Sequence, residues 1–255
     1  MALADLPPSG TDPATGAAVV RVLSYNIRSM RDDPAALARV VRACAPDVVC
    51  VQEAPRFPRW RRRAALLARL TGLTYVAGGA TTCGPLLLAS MRARVVRTRE
   101  VLLPRTPGLH RRGLAMAVLR FGAASPGAEL AVASCHLSLA AAEREAQTGL
   151  LLEHLGALGT PHAVLAGDIN EGPGGRSFRQ LAAQLQDGWA VRPWGSELTL
   201  PPAAPRTRID AVFASRGVEV LGCGVPLGLP GVTQADLMAA TDHLPVLAAV
   251  RVPAG

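Results

Sequence analysis

Leu165-Ala166-Gly167-Asp168-Ile169-Asn170 is an apolar run that closes on a carboxylate and a carboxamide two positions apart. Alternate side chains of an extended segment share a face, so Asp168 and Asn170 point the same way, about 6–7 Å apart along the strand. Glu171-Gly172-Pro173-Gly174-Gly175 comes next. Polar groups at the exit of a buried strand, opening onto a loop, have the form of a site. They also have the form of an ordinary turn, because Asp, Asn and Gly are common turn residues. The hexapeptide alone fits either reading, and its partners elsewhere in the chain decide.

The same pattern recurs on both sides of it. Residues 19–27 form a β-rich run with Asn26 near its end. Asp33-Pro34 supplies a helix cap with Pro in the first turn. Leu37, Val40, Val41 and Cys44 then share one helical face, and Pro46 stops the helix. Residues 47–53 are a second buried strand, ending at Glu53, and a helix over 58–70 ends at Gly72. Four strands without intervening helices follow, at 73–78, 84–91, 95–103 and 113–121. The strand 129–139 contains His136, and a helix over 141–158 leads to the strand 163–169. A short helix over 176–185, strands over 208–215 (with Asp210) and 218–224, and a last strand over 244–252 complete the chain, Thr241-Asp242-His243 preceding that last strand. Helices interleaved with strands and hairpins predict two packed mixed β-sheets flanked by helices, a four-layer α/β sandwich. One domain over 18–253 is expected, after a disordered Pro/Gly-rich lead-in over 1–17.

Composition narrows the class. Of 255 residues, 49% are hydrophobic and 18% charged, which is globular rather than disordered. No apolar run is long enough to span a membrane, and no secretory leader is expected. The five cysteines form no C-x-x-C pair, so free, mostly buried thiols in a reducing cytosol are expected and a zinc site is disfavoured. The net charge is +8, and all 27 basic residues are arginine. Such a bias fits a GC-rich codon preference, so the charge is only moderate support for a polyanionic partner. The dense cluster Arg56, Arg59, Arg61, Arg62 and Arg63 reads as a solvated helix face before it reads as a phosphate contact.

Eight polar residues thus stand at strand ends: Asn26, Glu53, His136, Asp168, Asn170, Asp210, Asp242 and His243. Layered α/β folds collect their sites at one sheet edge. The carboxylates and amides are hard oxygen donors suited to Mg²⁺ or Mn²⁺, and the histidines can move protons near neutral pH. No serine or cysteine sits in a convincing triad, and the glycine-rich stretch lacks the Lys-Ser/Thr of a nucleotide loop.

The ordered motifs S-Y-N-I-R, V-Q-E, H-R-R-G, C-H-L, G-D-I-N, R-I-D-A-V-F and T-D-H-L-P-V resemble the endonuclease/exonuclease/phosphatase superfamily over residues 19–252. That resemblance implies a deoxyribonuclease I-like fold and a metal-dependent hydrolase of phosphoesters, with phosphodiesters first. The substrate would be nucleic acid or a small or lipid-derived ester; a cytoplasmic location is expected from the cysteines, and a monomer is plausible while the oligomeric state stays open. The resemblance implies Glu53 as principal metal ligand, Asn26 in or beside the metal's shell, and Asp242 completing or supporting the site. Asp168 and Asn170 would orient the attacking water and bind phosphate oxygens. His243, paired with Asp210, would contact the phosphate or act as base, and His136 would be the acid. Arg112 is a candidate phosphate clamp. The alternative is a catalytically inactive relative that binds phosphate or nucleic acid; its mark would be a degenerate site, and all eight positions here are filled.

Overall fold

The protein is described by a computed structural model covering residues 3–122 and 127–255. One sheet has seven strands: β1 (Gly10–Thr11), β2 (Ala18–Asn26), β3 (Val48–Gln52), β4 (Thr74–Gly78), β5 (Leu86–Ala89), β12 (Glu219–Gly224) and β13 (Val246–Val252). Its order is β12-β13-β2-β3-β5-β4, with β1 paired to β2. The other has six: β6 (Ala93–Leu102), β7 (Gly113–Phe121), β8 (Ala128–His136), β9 (Ala163–Asp168), β10 (Gln186–Asp187) and β11 (Asp210–Ala214). Its order is β10-β11-β9-β8-β7-β6.

Strand alternation builds the layers. Val20 and Val22 of β2, Ala115 and Ala117 of β7, and Val164 and Ala166 of β9 face one another in the core between the sheets. The opposite faces of the same strands carry Leu23 and Tyr25, or Met116 and Val118. Leu23 and Tyr25 pack with helices α1 (Pro34–Cys44), α2 (Trp60–Thr71) and α6 (Gln234–Ala240). The outer face of the second sheet packs with α3 (Ala141–Gly156) and α4 (Arg176–Gln184). The short helix α5 (Gly188–Val191) adjoins β11 and β12, one strand from each sheet. The result is the expected four-layer sandwich.

Local signals explain the helix ends. Asp33 accepts from the amides of Ala35 and Ala36 at 2.7 and 3.1 Å, ahead of Pro34, and α1 ends where Ala45 turns left-handed before Pro46. Helix α6 was not anticipated, although Thr233 and Asp236 form a reciprocal capping box at its start.

The N-terminal lead-in departs from the expected disorder; its Met1 and Ala2 lie outside the described residues. Leu6 is 2% exposed in the core, and β1 pairs with β2. The Arg21 guanidinium donates to the carbonyls of Pro7 and Leu6, and Ser9 bonds Asp47 at 2.6 Å. One buried leucine and a cation under the backbone outweigh the disorder-prone composition.

Topology also sets where strand ends lie. Each sheet contains one parallel pair: β2 with β3 (Asn26 opposite Gln52), and β8 with β9 (His136 opposite Asp168). Their antiparallel neighbours start at the same edge, β11 with Asp210 opposite Asp168, and β13 with Val246 opposite Ser24. The exits of these four strands and the entries of β11 and β13 therefore share one end of the sandwich.

Gly167 is set by this geometry. It lies opposite Cys135, and a Cβ there would sit 2.1 Å from the Cys135 carbonyl oxygen and 2.7 Å from its sulfur. Gly167→Ala should therefore part β8 from β9 and destabilise the protein by about 3 kcal/mol. Urea unfolding measures this, and an unchanged midpoint would contradict it.

Candidate active site

The exit of β2 turns sharply. Arg28, Ser29 and Met30 are all left-handed, with φ of 43, 59 and 54°. Their turn is tied down by the Ser29 amide on the Glu53 carbonyl at 2.8 Å. Glu53 is itself left-handed (φ 52°), as is Asn170 (φ 55°). Non-glycine residues seldom hold this conformation, which costs on the order of 1–3 kcal/mol each. At both positions it breaks the strand just where the side chain must leave the sheet.

The side chains then meet. Asn26 Nδ2 donates to Asp168 Oδ2 at 3.1 Å and to Glu53 Oε1 at 3.3 Å. Asn170 donates its backbone N–H to Asp168 Oδ1 at 2.9 Å and its side-chain amide to the Leu137 carbonyl at 2.9 Å. His243 Nδ1 lies 2.9 Å from Asp210 Oδ2. His136 Nε2 and His243 Nε2 approach Asp168 Oδ2 at 3.5 and 3.9 Å. Asp242 stands to one side: Arg28 Nε is 3.3 Å from its Oδ2, and the Thr241 hydroxyl reaches its Oδ1 and the Asn26 carbonyl.

A cleft of about 310 Å³ opens over these groups. Glu53, His136, Asp168, Asn170 and His243 line it, as does Arg112. Asn26 and Asp210 are buried behind it, and Asp242 is not among its lining residues. Beyond the predicted set, Cys83, Leu139, Leu200 and Ile209 also line the cleft, together with two basic residues, His110 and Arg56. His110 opens the H-R-R-G motif in an exposed loop, but that motif points to Arg112 rather than to the histidine. Arg56 was grouped with the arginines of the next helix; it lies ahead of α2 and lines the cleft, while Arg59, Arg61, Arg62 and Arg63 are exposed.

The charges are strongly coupled. Burial, and then Asp210, raise the Asp168 carboxyl to about 7, although His243 and the Asn170 and Asn26 hydrogen bonds oppose the rise. Burial disfavours the His243 charge, but Asp210, by charge and by hydrogen bond, and Asp168 outweigh it and lift the imidazolium to about 9. Burial, Arg112, His243 and Arg56 together hold His136 well below the usual histidine range, so it is neutral. Of the two histidines, His243 carries the proton.

The donor set suits a hard divalent cation. Two carboxylates, Glu53 and Asp168, converge on one amide, and the buried Asp210 Oδ1 has no hydrogen-bond partner. Asp168, Asp210 and His243 also bring ligand atoms within 4.8 Å of one another. With its proton in place His243 has no lone pair to offer on Nδ1 or Nε2, and the trio is then held together as an ion-pair cluster.

The family model described as Endonuclease/Exonuclease/phosphatase matches residues 23–243. No curated protein matches the chain in sequence. Among solved structures, a mannosyl-6-phosphatase of Bacteroides thetaiotaomicron is similar, at 18% identity over 91% of this chain and 99% of that one, with TM-score 0.75. The human Nocturnin catalytic domain with bound sulfate superimposes with TM-score 0.70, at 17% identity over 95% of this chain and 96% of its own. TDP2 of D. rerio, complexed with single-strand DNA product, gives TM-score 0.69 at 18% identity, over 91% of this chain and 98% of its own. At these identities the likeness shows the fold.

The two raised pKa values have the same sign of effect on stability. The folded state binds a proton on Asp168 more tightly than the unfolded chain does, so that contribution is lost as pH rises through about 7. The His243 contribution is present below the ordinary histidine pKa and lost as pH rises through about 9. Thermal melts of the metal-free protein should therefore fall from pH 5 to pH 9, with Asp168→Asn flattening the part below about 7. Equal slopes for both proteins would contradict this.

Proposed function

The chain belongs to the endonuclease/exonuclease/phosphatase family, and on that premise we propose that it hydrolyses phosphoester bonds with the help of Mg²⁺ or Mn²⁺. The observation that carries this reading is the convergence of Asp168, His136 and the Asp210–His243 pair beside Glu53 in one cleft. Glu53 would hold the cation with Asn26 beside it, and Asp242, reaching Asn26 through the Thr241 hydroxyl, would support them. Such a cation neutralises non-bridging oxygens and orients an in-line attack.

The chain's own groups account for the rest. A carboxyl raised to about 7 can take a proton from water at neutral pH, which suits Asp168 to the water-positioning role. Asn170 spends one amide hydrogen on Leu137 and has a second for a phosphate oxygen, without adding charge. His243, kept as imidazolium by Asp210, donates from Nε2 to the phosphate or to the leaving oxygen. The buried, neutral state of His136 fits an orienting hydrogen bond better than the acid role implied by resemblance, and His243 takes the acid role in this reading. The arrangement is that of a base-and-acid pair poised by environment.

The ester is that of a nucleic acid or of a small or lipid-derived alcohol. A net charge of +8 favours a polyanion. Against single strands, no Trp, Tyr or Phe is among the residues lining the cleft. Among the described residues no helix is long and apolar enough to cross a membrane. The five cysteines are unpaired, four of them buried, which suits the reducing cytosol proposed as its location.

Turnover of bis(p-nitrophenyl) phosphate should require Mg²⁺ or Mn²⁺ and stop on chelation. Glu53→Ala and His243→Ala should each lower it by about 10²–10³-fold with the circular dichroism spectrum retained. Wild-type turnover in both variants would overturn the assignment.

A further inference from the structure

Two guanidinium groups in the cleft, those of Arg56 and Arg112, have no carboxylate within ion-pair distance among the described residues. We propose that Arg56 and Arg112 together clamp the doubly charged phosphate of a monoester, so that the preferred substrate presents a terminal phosphate rather than a bridging one. The inference rests on the phosphoesterase reading and narrows its substrate.

Both arginines line the same cleft as Glu53, His136 and Asp168. Neither forms an ion pair among the described residues. Arg112 Nε is buried with no hydrogen-bond partner, an orphan donor beside an open space. The carboxylates of Asp168, Glu53 and Glu143 act on Arg112 only through their fields, and none lies within ion-pair distance of it.

One turn holds both arginines in place. Arg56 Nη1 donates to the Cys83 carbonyl at 3.2 Å, where Cys83 is left-handed. A Cβ on Gly113 would lie 2.5 Å from the Thr82 carbonyl oxygen, so the strand start that carries Arg112 is pressed against the same turn. The Gly84 carbonyl, in turn, accepts from the Ala54 amide at 2.9 Å, next to Glu53. The clamp is pre-organised, which spares the ordering cost of binding.

Charge matching selects the ligand. Asp210 balances His243, and Arg28 balances Asp242. Glu53, with Asp168 beside it, would face a divalent cation. Arg56 and Arg112 form no ion pair among the described residues, and they carry two charges. A phosphomonoester is close to a dianion at neutral pH, whereas a diester carries one charge. Arginine forks match phosphate oxygens two at a time. Leu139, Leu200 and Ile209 line the same cleft with apolar surface for the alcohol, and about 310 Å³ admits a phosphate with a small one.

The test is binding of inorganic phosphate and of dimethyl phosphate to the Mg²⁺-loaded protein at pH 7.5, by calorimetry. It is paired with kcat/KM for p-nitrophenyl phosphate and bis(p-nitrophenyl) phosphate. Wild type should bind phosphate at least about tenfold more tightly than dimethyl phosphate. Arg56→Met and Arg112→Met should each weaken phosphate by about 30-fold and dimethyl phosphate by less than about threefold, with Arg56→Lys recovering part of the loss. The monoester-to-diester ratio of kcat/KM should fall with the phosphate affinity. Equal losses for both anions, or none, would overturn the clamp. Arg56 is exposed, so Arg56→Met keeps the test decisive should Arg112→Met not fold. A wild type that hydrolyses neither ester yet discriminates the anions would overturn the hydrolase reading and leave the clamp standing.

Discussion

The Asn26 side-chain amide joins carboxylates that would otherwise repel. It donates to Glu53, which follows β3 of one sheet, and to Asp168, which ends β9 of the other. Two acidic groups can be held this close in a buried place only with donors or a cation between them. The amide is a donor without charge, and it bridges them without adding a charge of its own. A second polar contact lies behind it. Gln52 Nε2 donates to Ser134 Oγ at 3.3 Å, and Ser134 donates to the Val51 carbonyl at 2.8 Å. The sheets are thus stitched by hydrogen bonds at the level of the site and by small apolar side chains below it.

That arrangement carries strain. Glu53, Asn170 and the Arg28–Met30 turn adopt backbone conformations that side chains disfavour. Such residues persist where surrounding structure over-determines them. Here the surroundings are specific: the Glu53 carbonyl holds the Ser29 amide, and Asp168 holds the Asn170 amide. Strand exits that ran straight on would carry their side chains past the cleft. The turn energy is offset by the core, in which both faces of β2, β8 and β9 are buried.

The two histidines show how environment divides like groups. Both are buried at the same edge and both approach Asp168. His243 has Asp210 on its Nδ1, whereas His136 faces the fields of Arg112, His243 and Arg56. One is held charged and the other neutral, and the difference comes from neighbours far apart in the chain.

Much of this was legible in the sequence. Apolar runs of strand length ending in Asn26, His136 and Asp168 marked both the sheets and the edge that carries the candidate site, because burial on two faces demands continuous apolar residues and a polar exit is then conspicuous. Asp33-Pro34 announced α1, and Thr233 with Asp236 could have announced α6, because capping chemistry is local. What only the tertiary structure decided is non-local. The ordered lead-in depends on Leu6 finding the core and Arg21 finding its carbonyls. The separation of Arg56 from its neighbouring arginines depends on a turn some thirty residues later, through the Cys83 carbonyl. The charge states of His136 and His243, and the place of Asp242 beside Arg28, depend on which strand ends are brought together. Residue types and their periodicity fix which groups leave the core. Electrostatics and hydrogen bonding act through space, and only the paired sheets set those distances.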